Sequence, residues 1–374
     1  MDDSTRATYE LGAAEWAERR PPRLGREAAA FSHRCLSGMA MVDLGCGPGT
    51  YFAHLGTGPD RPVVGLDGAR AMVELARAVA PEVAVVQADL AHLPFAPGRL
   101  GGAWARASYL HLPAHDLPAA LAQLHRALAV GAPIELTLRA GEGAKSQHEG
   151  DLPDDDFPGR FFAFWRPGEL GDVVTGAGFD LAEVAADGEW LTVRATAART
   201  LPDFVGPAMA VLVCGLNPSV VAADAGFGYA GATNRFWRAA VSAGLIRPPH
   251  ARRPLLALER DHVGMTDLVK RATPRAAELT LSEYRDGAAR LARLVTSLPP
   301  RMVLFVGLAG WRAAVDRVAQ PGLQPQPFAG VPAYVMPSTS GLNAATSLGQ
   351  LVEHFQAAAA AADLPAGPGL GRDG

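Results

Sequence analysis

Two apolar runs in this chain stop abruptly at loops, about 170 residues apart. The first is Met41-Val42-Asp43-Leu44, which runs into Gly45-Cys46-Gly47-Pro48-Gly49. The second is Val211-Leu212-Val213-Cys214, which runs into Gly215-Leu216-Asn217-Pro218-Ser219. A buried strand that hands over to a glycine-containing loop is the repeating unit of an open α/β sheet, where ligands bind at the carboxyl ends of strands. Two such switches this far apart argue for two sites. At 374 residues the chain also exceeds one ordinary core, so two domains are expected.

The intervening pattern agrees. Polar helical segments fill residues 1–36. Strands are expected from Met39, at Pro62–Leu66, Val83–Gln87, Gly102–Ala105 and Pro133–Leu138. Helices are expected at Ala69–Ala80, Asp116–Leu128 and Glu169–Ala177. Leu181–Ala185 and Trp190–Ala195 read as a closing antiparallel pair, so strands alternating with helices give a mostly parallel sheet covered on both faces. The Pro-rich stretch 199–207 reads as a linker between domains at 1–198 and 208–362. Beyond it the alternation restarts with Val211–Cys214, a helix near Asn234–Ala243 and a Pro/Arg loop at Arg247–Pro254. A helix at Ser282–Ser297, a strand at Met302–Val306, a helix at Gly310–Val318, a strand at Ala333–Val335 and a helix at Leu348–Ala361 follow. Residues 363–374 read as a disordered tail.

Composition excludes several classes. Hydrophobic residues make up 49% and charged residues 19%, which is neither disordered nor membrane-spanning. The amino end lacks a cationic flank leading into an apolar core, so no signal peptide is expected. Cys35, Cys46 and Cys214 are too few and scattered for a disulfide framework or a metal cluster, and the expectation is a cytoplasmic protein without metal. Residues 1–198 hold 17 Lys and Arg against 26 Asp and Glu, a net of −9, which leaves +5 for the remainder. A basic second half points to a polyanionic partner for that half alone.

In the first switch the glycines fall at 45, 47 and 49 behind an acidic residue, and Thr50 stands where a dinucleotide fingerprint would place its third glycine. With no pyrophosphate to seat, the tight turn lets a methionine-type tail lie against bare backbone. Asp67, at the end of the next strand, is placed to accept ribose hydroxyls, and Asp89, at the end of the third, to meet an adenine amino group. This series, with Leu93-Pro94-Phe95, Leu128-Ala129-Val130-Gly131 and Phe179 after Ala177-Gly178, resembles the class I S-adenosylmethionine-dependent methyltransferases over residues 37–198. The resemblance implies a Rossmann-like sheet and S-adenosyl-L-methionine as cofactor, with Asp43, Gly45 and Gly47 along the methionine part, Asp67 at the ribose and Asp89 at the adenine. Where the family often begins its fourth strand with Phe-Asp, this chain has Leu100-Gly101-Gly102-Ala103. Arg106, Tyr109, His111 and His148 are candidates to line the acceptor pocket, whose acceptor is not readable.

In the second switch, Gly215-Leu216-Asn217-Pro218-Ser219 is followed by Tyr229 and by Asn234-Arg235-Phe236-Trp237. Gly264-Met265-Thr266-Asp267-Leu268-Val269, Phe305-Val306-Gly307 and Met336-Pro337-Ser338-Thr339-Ser340-Gly341-Leu342 come after, in that order. This set resembles the mismatch-specific uracil- and thymine-DNA glycosylases over residues 208–358. It implies an α/β/α sheet and duplex DNA with a mismatched or damaged base as partner, with no cofactor. A base turned out of the stack costs a few kcal/mol, which favours mispaired bases. Tyr229 would stack on it, and Asn217 would place the attacking water without being able to take its proton. Gly215, Leu216 and Ser219 would border the base, with backbone groups around Leu216 and Ser219 donating to it as it leaves. Ser338 and Ser340 would bind phosphate oxygens, Gly341 would belong to the same DNA-binding loop, and Leu342 would be the wedge that fills the gap. The arginines at 247, 252, 253, 271 and 275 would add phosphate affinity. Asn234 and Arg235 read as braces for a loop, and Phe236 and Trp237 as core.

The expectation is therefore an α/β protein of two domains. An amino-terminal methyltransferase fold is fused to a base-excision DNA-repair enzyme that removes uracil or thymine opposite guanine. The other reading is a methyltransferase whose second domain serves only to bind DNA.

Overall fold

The computed structural model describes residues 3–56, 58, 60–142, 152, 155–248 and 252–363. His148, the acidic positions Asp151 and Asp154, and the expected tail from residue 364 onward lie outside the described residues. The chain divides into two compact units. One ends at Ala198 and lacks only Gly176–Gly178, while the other takes those three residues and the chain from Arg199.

In the first unit α1 (Asp3–Arg19) and α2 (Gly25–Arg34) precede β1 (Ala40–Leu44), α3 (Phe52–Leu55), β2 (Val63–Asp67), α4 (Arg70–Val79), β3 (Ala84–Gln87) and β4 (Leu100–Arg106). Then come α5 (Leu117–Ala127), β5 (Pro133–Ala140), the short β6 (Phe164–Trp165), α6 (Pro167–Gly176), β7 (Phe179–Asp187) and β8 (Trp190–Ala197). Across the sheet the order is β3-β2-β1-β4-β5-β8-β7, with β6 alongside β5. Strands β3 through β5 run parallel, and the β7–β8 pair closes the edge antiparallel. The order reverses between β1 and β4, so the crevice for a ligand opens at their carboxyl ends. Met41, Leu44, Leu66 and Ala103 are fully buried, as a two-faced parallel sheet demands.

The second unit contains β9 (Val211–Gly215), α7 (Val220–Ala225), α8 (Phe236–Ser242), α9 (Pro254–Asp261), β10 (Val263–Asp267) and α10 (Leu281–Ser297). It continues with β11 (Met302–Val306), α11 (Leu308–Ala314), β12 (Gly322–Leu323), β13 (Ala333–Met336) and α12 (Leu348–Ala361). The sheet order is β10-β9-β11-β13-β12, with only β12 antiparallel. Its reversal lies between β9 and β11. Capping boxes at Thr280 and Ser347 start α10 and α12, each closing two otherwise orphaned backbone donors.

Several local expectations change. Helix α9 begins at Pro254, which had read as the end of a loop; proline at the first helical position is instead a start signal. Helix α11 begins and ends earlier than expected, because Gly307 turns the chain at φ 102° and Val315 leaves helical geometry. The short α7 and β12 had no periodicity to announce them. No helix among the described residues is long and apolar enough to cross a membrane.

The stretch 199–207 is not a solvated linker. Leu201, Asp203, Phe204 and Val205 are buried, and Phe204 exchanges both backbone hydrogen bonds with Met265 at 2.8 and 2.9 Å, extending the sheet beyond β10. Asp203 is the anchor. Its Oδ1 accepts from Lys270 Nζ at 2.8 Å and from Thr266 Oγ1 at 2.6 Å, and its Oδ2 accepts from Arg290 Nη1 at 2.6 Å. Burial alone would raise the carboxyl, but the Arg290 and Lys270 charges hold it below the usual carboxylate range. Proline content suggested a connector, whereas one buried carboxylate held by Thr266, Arg290 and the half-buried Lys270 makes the stretch structural. Replacing Asp203 by Ala strands two cations and is expected to cost about 3–5 kcal/mol in urea unfolding. With the folded carboxyl titrating below its unfolded value, its stabilisation is complete above about pH 4 and lost as pH falls further. The variant's stability profile is expected to lose that part of its acid dependence.

Candidate functional sites

At the reversal point of the first sheet, Asp43 ends buried against the glycine turn, with Oδ2 lacking any hydrogen-bond partner. Burial, and then the charge of Asp67, pushes its carboxyl up to about 8. The turn is fixed by Gly45 and Cys46 N–H groups donating to Leu66 O at 2.7 and 3.0 Å. Gly45 has φ 71°, and a Cβ there would lie 2.3 Å from Ser108 Cβ, so the turn presses directly on the end of β4. Gly47 N–H donates to Asp67 Oδ2 at 2.9 Å, and Ala69 N–H to Oδ1 at 2.9 Å. Burial raises the Asp67 carboxyl while those two donors oppose it. Asp89 follows β3, with Oδ1 accepting from Ala91 N–H at 2.9 Å. Glu10 of α1 accepts from the Arg70 and Ala71 N–H groups at 2.5 and 2.8 Å, bringing that helix to the same end of the sheet.

Three buried polar atoms around this turn lack partners: Asp43 Oδ2, Ser108 Oγ and Tyr109 Oη. Burial, then Asp89, raises the Tyr109 phenol. A bare turn ringed by orphaned polar atoms fits a polar ligand. His111 is committed elsewhere, with Nδ1 2.7 Å from Phe161 O and Nε2 2.8 Å from Tyr9 Oη. Tyr9 in turn accepts from Arg160 Nη1 at 3.1 Å.

In the second unit Asn217 is locked by its amide nitrogen. Nδ2 donates to Thr273 Oγ1 at 2.8 Å, to Arg271 O at 3.0 Å and to Pro218 O at 3.1 Å. The remaining Oδ1 is an acceptor only, the right polarity to hold a water. Beside the end of β9 lies a cleft of about 450 Å³, lined by Leu216, Gly307, Pro337, Ser338, Asn343 and Thr346 among others. Ser219 serves as the cap of α7, accepting from Ala222 N–H at 3.1 Å, so its hydroxyl acts in the fold.

Tyr229 sits at φ 60° with its ring stacked on Phe236, 3.9 Å between centroids and 11° between planes. Phe236 and Trp237 are core, as expected. Leu342 is 95% exposed, so it is no core leucine. The loop beneath it is rigidly held: Arg235 Nη2 donates to Ser340 O at 2.9 Å and Asn343 O at 2.8 Å, and Nη1 donates to Thr346 O. Gly341 packs against Thr233. Ser338 Oγ accepts from Ser340 N–H at 3.2 Å, and Ser340 Oγ from Leu342 N–H at 3.3 Å, which leaves each hydroxyl proton to donate outward. Asn234 Oδ1 accepts from Phe236 N–H at 3.0 Å, a brace as expected.

Two residues were missed. Thr273 orients Asn217, and Asp267 ends β10 opposite Gly215. A Cβ on Gly215 would lie 2.2 Å from Asp267 Oδ1 and 3.2 Å from Tyr229 Oη, so carboxyl and phenol converge over bare backbone. The Tyr229 Oη has no partner, and burial followed by Asp267 raises its phenol well above normal. Burial pushes the Asp267 carboxyl up to about 6 against the pull of Lys270. A carboxyl at a strand end, with glycine facing it on the next strand, is the signal that could have found it. Three of the arginines expected to meet phosphate are engaged: Arg247 pairs with Asp261 and Arg271 with Glu283, both at 2.6 Å, and Arg275 with Glu278 at 3.4 Å.

Comparison with known proteins decides the two families. A family model described as "Methyltransferase domain" matches residues 41–131, and one described as "Uracil DNA glycosylase superfamily" matches residues 202–362. The chain joins a methyltransferase domain to a uracil DNA glycosylase superfamily domain. The second match begins inside the stretch first read as a linker. Among solved structures, the CcbJ methyltransferase from Streptomyces caelestis is 19% identical, covering 53% of this chain and all (100%) of that one at a TM-score of 0.43. A DhpI–SAH complex is 22% identical, covering 52% and 96%, at a TM-score of 0.42. A SAM-dependent methyltransferase from Aquifex aeolicus is 19% identical, covering 50% and 98%, at a TM-score of 0.39.

In the methyltransferase domain, Gly45→Ala combines a left-handed backbone with a Cβ clash. It is expected to lower stability by about 2–4 kcal/mol, read by calorimetric unfolding. Gly47→Ala, where a Cβ meets nothing within 4 Å, is expected to cost less.

Proposed function

We propose that the glycosylase-superfamily domain hydrolyses the N-glycosidic bond of uracil or thymine turned out of duplex DNA opposite guanine. The observation that carries this reading is the triple tether on Asn217 Nδ2, which leaves Oδ1 as the acceptor for a water. Breaking the bond builds positive charge on the sugar and negative charge on the leaving base, so a placed water suffices where a strong base is absent. Tyr229 stacks on the base, Ser338 and Ser340 donate to flanking phosphates, and exposed Leu342 enters the duplex in place of the extruded nucleotide. Leu216 lines the pocket, Gly215 lies bare beneath Asp267 and Tyr229, and Gly341 lets the wedge loop lie against Thr233.

Labelled G·U duplex is expected to lose its uracil to the wild-type chain, read as strand cleavage at the abasic site after hot alkali, and at least about a hundredfold more slowly to Asn217→Ala. Equal cleavage by both, or by neither, removes the assignment; duplex binding without cleavage favours a DNA-binding role alone.

Asp267 gives the pocket a pH dependence. Held at about 6 by burial, its carboxyl keeps a proton in mild acid and loses it near neutrality. The protonated form donates to the leaving base, whereas the ionised form repels the negative charge growing there. Excision is therefore expected to fall about tenfold between pH 5 and 7.5, equivalent to roughly 1.4 kcal/mol of barrier. Asp267→Asn is expected to flatten that limb, and a profile unchanged by the substitution removes the role.

We further propose that the methyltransferase domain takes S-adenosylmethionine, with Asp43 at its amino group, Gly45 and Gly47 along the methionine part, Asp67 at the ribose and Asp89 at the adenine. The orphaned Asp43 Oδ2 and the bare glycine turn support this. When bound, the cofactor supplies an electrophilic methyl group; the chain's part is to orient it and the acceptor. A carboxyl held at about 8 is protonated at pH 7 and loses its proton on meeting an ammonium group. Calorimetry with S-adenosylhomocysteine at pH 7 is expected to show close to one proton released, from heats that differ between phosphate and Tris buffers. Asp43→Asn is expected to abolish that difference. Asp67→Ala is expected to weaken binding at least about tenfold.

A further inference from the structure

Arg106 is the last residue of β4, and Arg139 the last but one of β5. Arg106 is paired in register with Thr137, and Arg139 with Trp190, the first residue of β8. Both guanidinium carbons lie over the Trp190 ring, 4.7 and 4.9 Å from its centroid, and Arg139 also lies 5.7 Å from that of Phe162. Arg139 has one carboxylate partner, Glu189, whose side chain is 62% exposed. Among the described residues Arg106 has no hydrogen-bond or ion-pair partner at all, and its Nη1 is buried. Arg139 Nε, Ser108 Oγ and Tyr109 Oη are buried and unpaired in the same strand-end region. Four buried donor-capable atoms without acceptors are costly to keep unless something acceptor-rich completes them. Guanidinium groups have no acceptor of their own, so the missing partner is an acceptor, and two positive charges side by side favour an oxyanion. Contact with the Trp190 ring holds both guanidinium groups at this place, and the planar fork of N–H donors that each carries suits a carboxylate or phosphate.

The location ties this group to the chemistry of the domain. Ser108 Cβ sits 2.3 Å from the place a Gly45 Cβ would take, so the residues after Arg106 touch the glycine turn itself. We propose that Arg106, supported by Arg139, binds a carboxylate or phosphate of the methyl acceptor, which makes the substrate of this domain an acidic small molecule. The proposal rests on the methyltransferase reading. A second source of the same chemistry is the carboxylate of the cofactor's own methionine part, and the experiment separates the two.

The full chain is titrated with S-adenosylhomocysteine by calorimetry. It is then titrated, with that ligand saturating, with benzoate, phenyl phosphate and neutral benzamide by ligand-observed NMR. Wild type is expected to bind at least one anion and not benzamide. Arg106→Gln is expected to weaken the anion at least tenfold and Arg139→Gln about threefold, both leaving S-adenosylhomocysteine affinity within twofold. Arg106→Lys, which keeps the charge without the planar fork, is expected to fall between, and circular dichroism checks that each variant is folded. Loss of S-adenosylhomocysteine affinity in Arg106→Gln assigns the group to the cofactor's carboxylate and overturns the proposal, as does a wild type that binds no anion. Anion binding without any S-adenosylhomocysteine binding removes the methyltransferase reading, and the acceptor assignment with it.

Discussion

A parallel sheet covered on both faces leaves little room along its strands for polar side chains without partners, so polar groups open to a ligand collect where the strands stop. Both domains obey this constraint. Asp43, Asp67 and Arg106 stand at the ends of β1, β2 and β4, and Gly215, Asp267 and Val306 end β9, β10 and β11. In each sheet the order reverses beside its first strand, which opens a crevice between two neighbouring strand ends. The glycines at 45 and 215 then let neighbouring side chains close over the turn: Ser108, just past β4, in one domain, and Asp267 of β10 with the loop residue Tyr229 in the other.

What the chain order alone could reveal follows from this geometry. The glycine turn with Asp43, and the Gly215–Asn217 loop, are local in sequence, so their residue types and spacing were readable together with the two-domain α/β architecture. Asp267 and Thr273 were not, because their meaning depends on register: Asp267 matters only once β10 pairs with β9 so that it faces Gly215. Thr273 lies 56 residues from the amide it holds. The stretch 199–207 was misread for the same reason. Its prolines are local, whereas the Phe204–Met265 pairing and the Asp203 cluster join residues some 60 positions or more apart.

Net charge carried a related ambiguity. The excess of +5 beyond residue 198 suggested a surface for a polyanion, yet it counts cations that the fold has already used. Arg290 and Lys270 neutralise Asp203, Arg235 is spent on three carbonyls of the loop that carries Leu342, and Arg271 is paired with Glu283. Even Arg275, with a side chain 83% exposed, is paired with Glu278 at 3.4 Å. The first domain presents the opposite case. Its net charge of −9 gives no hint of the unpartnered guanidinium at Arg106, because a total cannot report where a single charge is left uncompensated.

The two aspartates of the second sheet edge show how one short segment can set both stability and chemistry. Thr266 and Asp267 are adjacent on β10, so their side chains point to opposite faces. Thr266 donates to Asp203, within the ionic cluster that holds its carboxylate ionised; Asp267 points to Gly215 and Tyr229, where burial keeps its carboxyl near 6. Arg290 reaches across both, pairing with Asp203 through Nη1 and donating to Asp267 O at 2.9 Å through Nη2. The cluster thereby fixes the backbone from which the pocket carboxyl projects. A change at Asp203 would reach the Asp267 carboxyl through Arg290 and the β10 backbone.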